Sequence, residues 1–179
     1  MSNRNPGIEV REYDSDWSRQ FQVYASTLNR ALGKLAMSIE HVGSTSIVGL
    51  AAKPIIDIDI VISSRLLLKQ VIEKLASIGY SHQGNLNILG REAFTHSEDN
   101  QHHLYVCSID TPNLHNHLIF RDYLRTHSNV VREYSKLKLQ LAIQYRDDRE
   151  GYTRSKTKFI QSILAKARAE YGFDTFQPR

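Results

Sequence analysis

The sequence has few of the features that mark secreted or membrane proteins. Cys107 is its only cysteine, so the chain can form neither an internal disulfide nor a zinc site built from several thiolates. No apolar run approaches the roughly 18 residues of a membrane span, and residues 1–6 lack the apolar core of a signal peptide. We therefore expect a cytoplasmic protein without membrane contact, in which Cys107 is a buried structural thiol.

Long blocks of a single charge are also missing. The chain has no glycine-arginine tract and no aromatic-rich sheet signature, which argues against a dedicated nucleic-acid surface. The net charge is only +4, but residues 121–170 carry twelve Lys or Arg against six Asp or Glu. This local excess predicts a polyanionic ligand; the alternative is that the basic residues line solvated helix faces.

Hydrophobic periodicity predicts the α+β class, with a mixed sheet flanked by helices and a helical C-terminal half. Strands are predicted at residues 8–13, 36–42, 55–62, 91–96 and 103–107. Helices are predicted at residues 17–35, 64–79, 111–126, 128–151 and 152–169. One domain is expected over residues 1–179, divided into a sheet-bearing part (1–107), a helical part (108–170) and a tail (171–179).

The most informative stretch is residues 41–62, in which a loop of small residues leads into a strand with two carboxylates. Residues two apart on a strand share a face, so Asp57 and Asp59 should lie side by side. Adjacent carboxylates repel unless a cation lies between them, and Mg²⁺ takes such oxygens together with substrate phosphates. Gly43 leaves room for a phosphate, and Ser44 offers it a hydroxyl and a backbone N–H. The stretch predicts metal-assisted nucleotidyl or phosphoryl transfer, with Asp57 and Asp59 as metal ligands and catalytic residues.

Two polar residues within the same stretch allow more than one interpretation. Lys53 is a candidate phosphate ligand, and its alternative role is a structural salt bridge with the aspartates. His41 directly precedes the loop. It either orients Ser44 or an aspartate, or it is a half-buried structural histidine.

Candidates outside this stretch are mostly basic side chains suited to phosphate oxygens: Arg91, Arg121, Arg125, Lys156 and Lys158. The arginines have acidic neighbours in Glu92 and Asp122, and a lysine on a helix is usually solvated. Histidine pairs at residues 102–103 and 115–117 suggest a transition metal, but no third ligand of the usual type accompanies them.

These motifs together resemble the nucleotidyltransferase superfamily and, within it, the GrpB family. The central match is IEHVGSTS at residues 39–46 and GLAAKPIIDIDI at residues 49–60. Further matches are GREAF at 90–94, HLYV at 103–106, FRDYLR at 120–125, His127, and Lys156 with Phe159 and Ile160. The likeness covers nearly the whole chain.

The resemblance implies a nucleotidyltransferase-like mixed sheet flanked by helices. It also implies that Gly43 and Ser44 lie near nucleotide phosphates and that Asp57 and Asp59 bind Mg²⁺. The implied substrates are a nucleoside triphosphate and an acceptor that the sequence does not identify.

One departure from the superfamily pattern bears on catalysis. Members that transfer nucleotides usually add a third carboxylate from a later strand, whereas here that strand carries His103, Tyr105 and Cys107. Nucleotidyl transfer is the first hypothesis. The alternative is a non-catalytic nucleotide- or coenzyme-binding module, similar to the domain attached to some dephospho-coenzyme A kinases. A third possibility is hydrolysis of a phosphoanhydride.

Overall fold

The computed structural model describes residues 7–172 of the chain. In chain order its helices and strands are α1 (Asp16–Leu32), β1 (Ser38–Val42), β2 (Ile56–Ile62), α2 (Leu68–Ala76), β3 (Tyr80–Gly84), β4 (Arg91–His96), β5 (His102–Ser108), α3 (Pro112–Thr126), α4 (Ser128–Gln144), α5 (Arg149–Ser155) and α6 (Thr157–Tyr171). Short 3₁₀ segments occupy Gly33–Leu35, Ser44–Ser46 and Arg65–Leu67.

The strands form one mixed sheet in the order β1-β2-β5-β4-β3. β2 is parallel to β5, and the other neighbouring pairs are antiparallel. Strand β2 takes an interior position because its residues are branched and apolar apart from the two aspartates, and Ile56, Ile58 and Ile60 have no solvent exposure. The mixed sheet with flanking helices confirms the predicted α+β class.

Helices pack on both faces of this sheet. On one face, α1 and α2 bury Trp17, Leu28 and Leu75 against the isoleucines of β2. On the other face, α3 places Leu114 and Leu118 against β2 and β5, where Cys107 is buried as predicted. A third apolar cluster joins α3, α4 and α6 to the loop between β1 and β2. The C-terminal helices are thereby held beside that loop.

The predicted strand at residues 8–13 is wrong. Only Arg11 forms a bridge, in which its backbone N–H and C=O pair with those of Ala52. The ladder of backbone hydrogen bonds between these two segments ends on one side at Pro54, which has no N–H to donate. It ends on the other side at Leu50, because the Leu50 N–H donates to Ile47 O instead. Alternating apolar and charged residues therefore produced one bridge rather than a strand.

Three further boundaries differ from expectation. Strand β3 was not predicted because it is a polar edge strand, in which Tyr80 is the buried residue. The helix predicted at 152–169 is divided into α5 and α6 at Lys156, and Gly151 lies inside α5 rather than ending α4. Tyr171, placed in the predicted tail, is the last residue of α6, and residues 173–179 lie outside the described part. Within residues 7–172, no helix is long and apolar enough to cross a membrane.

Candidate functional site

The loop between β1 and β2 is folded back tightly onto the first aspartate. Gly43 has φ +68° and ψ −171°, a conformation that essentially only glycine adopts. A Cβ atom at this position would collide with the Asp57 carboxylate. The Ser46 hydroxyl donates to Gly43 O at 2.7 Å, and the Thr45 hydroxyl donates to Ile55 O at 3.2 Å. Gly43 thus makes room for Asp57, in addition to the room for phosphate expected from the sequence.

Asp57 and Asp59 lie on one face of β2, as the period of a strand requires. Their register partners on the parallel strand β5 are His103 and Tyr105. The superfamily's third carboxylate would be expected from this strand, so the departure seen in the sequence is present in the folded sheet. Asp57 lines a cavity, whereas Asp59 is fully buried.

Each aspartate is paired with a histidine rather than with a lysine. His103 Nδ1 lies 2.8 Å from Asp57 Oδ1, and His117 Nδ1, from α3, lies 2.7 Å from Asp59 Oδ2. Burial lowers the His117 pKa, but the hydrogen bond and charge of Asp59 outweigh burial, so that this pKa is raised overall. The possible salt bridge from Lys53 to the aspartates is not formed.

A cavity of about 200 Å³ opens beside Asp57. Ser44 and Thr45 of the loop, His103 of β5 and Tyr152 of α5 form part of its wall. Four cationic side chains complete this part of the wall: Lys53, Lys138, Arg149 and Lys156. Among residues 7–172, Asp57 is the only acidic residue that lines the cavity, so basic side chains outnumber acidic ones in its wall.

The lysines are close together and poorly hydrated. Lys138 is 2% exposed and donates to Ala51 O, and burial lowers its pKa to about 7. Burial, together with the charge of Lys53, lowers the Lys156 pKa to about 8. The ammonium groups of Lys53 and Lys156 lie 4.8 and 4.2 Å from the ring centre of Tyr152. A bound anion would relieve the repulsion among these groups.

The Tyr152 hydroxyl gives a second indication of a ligand. The residue is 1% exposed and part of its side chain lines the cavity, whereas its hydroxyl is buried and has no hydrogen-bond partner within residues 7–172. Leaving a buried hydroxyl unpaired costs about 1–3 kcal/mol. A phosphate oxygen in the cavity would be a suitable acceptor.

His41 lies away from this cavity, on the opposite face of the sheet. Its ring stacks on Phe21 of α1 with centroids 4.6 Å apart, and its Nε2 lies 3.0 Å from the Thr45 hydroxyl. Burial lowers its pKa to about 4, so the ring is neutral at pH 7. His41 therefore holds Thr45, and it contacts neither Ser44 nor an aspartate.

None of the predicted arginines is among the residues that line the cavity, and two of them, Arg121 and Arg125, support the loop and the strand before it. Arg121 is buried and donates to Glu40, to Asp122 and to His41 O. Arg125 donates twice to Ser46 O, at 3.1 and 2.9 Å. Arg91 stacks over the Tyr105 ring at 4.1 Å. Among the predicted lysines, Lys53 and Lys156 reach the cavity and Lys158 is exposed outside it.

Sequence reasoning missed several cavity residues, of which Lys138 had a visible signal. Tyr134, Lys138 and Leu141 recur at helical spacing along the buried stripe of α4. A lysine inside an apolar stripe is unusual and indicates a buried cation with a partner or ligand. Arg149 and Tyr152 had no comparable signal, because their positions depend on how distant helices pack.

The two aspartates fit Mg²⁺ only if further ligands are supplied. Asp59 Oδ1 is buried and without a hydrogen-bond partner, as expected of an oxygen available to a cation. Within residues 7–172, no three His, Cys, Asp or Glu side chains are arranged as a metal cage. Magnesium commonly binds one or two carboxylates and completes its shell with phosphates and water. Asp57 and Asp59 match that partial donor set.

The fold belongs to the nucleotidyltransferase-like class. A solved structure of the Cid1 poly(U) polymerase aligns with a TM-score of 0.52 and 14% identity, covering 74% of this chain and 44% of that chain. At this identity the likeness concerns the fold alone.

Within that class, the family is defined by sequence. A family model described as GrpB protein matches residues 7–166, and the chain belongs to the GrpB family. The crystal structure of GrpB from Enterococcus faecalis aligns with a TM-score of 0.83 and 32% identity, over 92% of this chain and all of that one.

Two curated relatives have similar identity but different lengths. The UPF0157 protein YqkA of Bacillus subtilis is 35% identical over 162 residues, which cover 90% of this chain and 47% of YqkA. The glutamate-rich protein GrpB of Alkalihalophilus pseudofirmus is 35% identical over 161 residues, covering 85% of this chain and 91% of that protein. The chain thus spans about half of YqkA.

A further, partial match concerns a larger protein. A dephospho-CoA kinase of Mycolicibacterium paratuberculosis is 37% identical over 70 residues, which make up 37% of this chain and 17% of the kinase.

Proposed function

We propose that this GrpB-family protein binds a nucleoside triphosphate with Mg²⁺ and transfers its nucleotidyl group to an acceptor. One observation carries the proposal: four basic side chains line a cavity together with Asp57, next to the buried Asp59 with its unpartnered oxygen. Positive groups beside two carboxylates match the two needs of a metal-bound polyphosphate.

Each part of the site has a defined role in this proposal. Ser44 faces the phosphates from the loop, while Lys138, Arg149 and Lys156 of the helical part, together with Lys53 just before β2, neutralise them. Asp57 and Asp59 hold Mg²⁺, which when bound supplies charge neutralisation and orientation of the phosphates. The acceptor hydroxyl gives up its proton to solvent and its oxygen bonds to the α-phosphorus, while the bond from the α-phosphorus to the α,β-bridging oxygen breaks and pyrophosphate leaves among the lysines. Gly43 and His41 act indirectly, by positioning Asp57 and Thr45.

The proposal is tested by nucleotide binding and by product analysis with matched variants. Titration calorimetry with each nucleoside triphosphate and Mg²⁺ should show binding that Asp57→Asn and Asp59→Asn weaken about tenfold or more. Asp110→Asn is the control, because Asp110 is exposed in the turn after β5. Phosphorus NMR of reactions with cell extract separates nucleotidyl transfer, which gives a new nucleotidyl adduct of the acceptor, from hydrolysis, which gives a free nucleoside mono- or diphosphate. Absence of binding by every nucleotide would overturn the proposal.

A nucleotide- or coenzyme-binding module without catalysis is the second candidate. It is favoured by the positions beside the aspartates on β5, which hold His103 and Tyr105 in place of a carboxylate. The partial similarity to a dephospho-CoA kinase agrees with a binding role. Transfer of α-labelled nucleotide to any acceptor in an extract, lost in Asp57→Asn, would exclude this candidate. Tight binding without product would support it.

A further inference from the structure

A second cavity, of about 360 Å³, adjoins the cationic one. The two cavities share Lys53, Ile55 and Arg149 in their walls. The remaining walls of the second cavity come from residues 7–9, from Pro54 and from residues 146–147 after α4. Neither the motifs of the loop nor the two aspartates account for this space.

The walls of the second cavity are fixed to one another by backbone contacts. The Ile8 N–H donates to Arg146 O at 2.8 Å. A Cβ at Gly7 would lie only 3.0 Å from Arg146 Cγ and 3.2 Å from Arg146 O, so the two segments are in close contact. The bridge between Arg11 and Ala52 fastens the same N-terminal segment to the chain just before Lys53. Three separate segments therefore enclose one space.

The two cavities differ in charge and in the amount of apolar surface in their walls. The first is lined by four cationic groups against Asp57. The second has the apolar surfaces of Ile8, Pro54 and Ile55, and its three basic residues are partly balanced by two carboxylates, those of Glu9, which is paired with Arg11, and Asp147. A ligand that spans both would carry its negative charge at one end and a larger, uncharged and partly apolar body at the other. A nucleotide has this distribution.

We propose that the second cavity is the nucleoside subsite for the nucleotide whose phosphates occupy the first. This inference rests on the proposed function for the location of the phosphates. Ile8, Pro54 and Ile55 contact the base and sugar, since apolar walls with a few polar groups are typical of sites for such bodies. The carboxylates of Glu9 and Asp147 accept from the amino or imino groups of a base.

The test compares inorganic tripolyphosphate, which fills only the first cavity, with ATP, GTP, CTP and UTP. All are titrated calorimetrically into the full chain with Mg²⁺. In the unchanged protein at least one nucleotide should bind about tenfold more tightly than tripolyphosphate. Ile8→Trp fills the second cavity and should abolish this advantage, while the Kd for tripolyphosphate stays within about twofold. Val23→Trp, at an exposed position on α1, is the matched control, and this variant should still bind the nucleotide about tenfold more tightly than tripolyphosphate.

The outcomes separate the subsite from the proposed function. Unchanged affinity for tripolyphosphate shows that the Ile8→Trp protein is folded and that the first cavity is intact. If tripolyphosphate binds but no nucleotide exceeds it, or if Ile8→Trp keeps the advantage, the nucleoside subsite is wrong and the phosphate site stands. If neither tripolyphosphate nor any nucleotide binds, both proposals are overturned.

Discussion

At the residue scale, the candidate site consists of groups whose charges are costly to bury alone. Asp59 has no solvent exposure. Its Oδ2 is hydrogen-bonded to His117, and its Oδ1 has no hydrogen-bond partner within residues 7–172. Lys138 is nearly as buried, and its ammonium group donates a hydrogen bond to the carbonyl oxygen of Ala51. Such groups are retained where a ligand compensates them, because apolar substitutes would otherwise be at least as stable.

Gly43→Ala tests the close approach of the loop to Asp57. The substitution combines the cost of a conformation reserved for glycine, about 1–3 kcal/mol, with a collision against the carboxylate. Gly33→Ala is the control: Gly33 also has positive φ, at +52°, but no atom lies within 4 Å of its Cβ position. Urea unfolding should show a larger loss for Gly43→Ala, and only Gly43→Ala should weaken nucleotide binding by titration calorimetry. Equal losses in stability with unchanged affinity would contradict this account.

His117→Leu tests the buried pair with Asp59. Because the His117 pKa is raised above its ordinary value of 6.5, the folded state holds the proton more tightly than the unfolded chain. The resulting stability is fully present below pH 6.5 and is lost as pH rises through the folded pKa. The variant should lose about 1–3 kcal/mol at pH 5.5, and less at alkaline pH. Urea unfolding across this range measures the difference, and a double-mutant cycle with Asp59→Asn showing no coupling would exclude the pairing.

Residues in the loop and on β2 could be predicted from sequence because their roles depend on local geometry. The period of two that brings Asp57 and Asp59 to one face is a property of any strand. His117 lies 58 positions from Asp59, so only the packing of α3 on the sheet reveals the pair. Arg121 was predicted to be a phosphate ligand because of its charge, but in the structure it forms ion pairs with Glu40 and Asp122.

At the element scale, the division between α5 and α6 determines what reaches the cavity. α5 begins at an Asp148 cap, whose carboxylate accepts from Gly151 N at 2.8 Å, and it ends before Lys156. This short helix turns Tyr152 inward with Lys53 and Lys156 against its ring. Hydrophobic periodicity alone predicted one longer helix, because the residues around the break at Lys156 include no proline and do not interrupt the apolar pattern clearly.

Tyr152→Phe tests whether the inward face of α5 serves a ligand. Removing a buried hydroxyl that has no partner should leave stability unchanged or raise it by up to about 1 kcal/mol, while the ring contacts to the lysines persist. Tripolyphosphate affinity should fall about tenfold if the hydroxyl donates to a phosphate. Tyr80→Phe should behave oppositely, since the Tyr80 hydroxyl is paired with His102 Nε2 at 2.8 Å. Thermal unfolding and calorimetry measure both effects; loss of stability without loss of affinity in Tyr152→Phe would contradict the assignment.

At the scale of the whole molecule, the chain brings basic side chains and an acidic one from distant parts of the sequence to one place. The sheet contributes Asp57, and the helices after it contribute Lys138, Arg149 and Lys156. The basic excess of residues 121–170 predicted a polyanionic ligand, and three of its cationic side chains line the cavity while most others are exposed. Composition could indicate the excess but could not select those three, because the choice depends on packing between α4, α5 and the loop.

This arrangement predicts that ligand binding takes up protons. At pH 8 the free protein holds Lys138 mostly neutral, with a pKa of about 7, and Lys156 about half protonated, with a pKa of about 8. A bound polyphosphate favours the charged form of each amine and raises both pKa values, so that about one proton or slightly more is taken up. Tripolyphosphate titrations in buffers with different ionisation enthalpies measure this number directly. Lys138→Met should remove more than half of the uptake, whereas Lys136→Met, at an exposed position on the same helix, should not change it. Proton release, or uptake that is independent of Lys138, would show that the buried amine does not face the ligand.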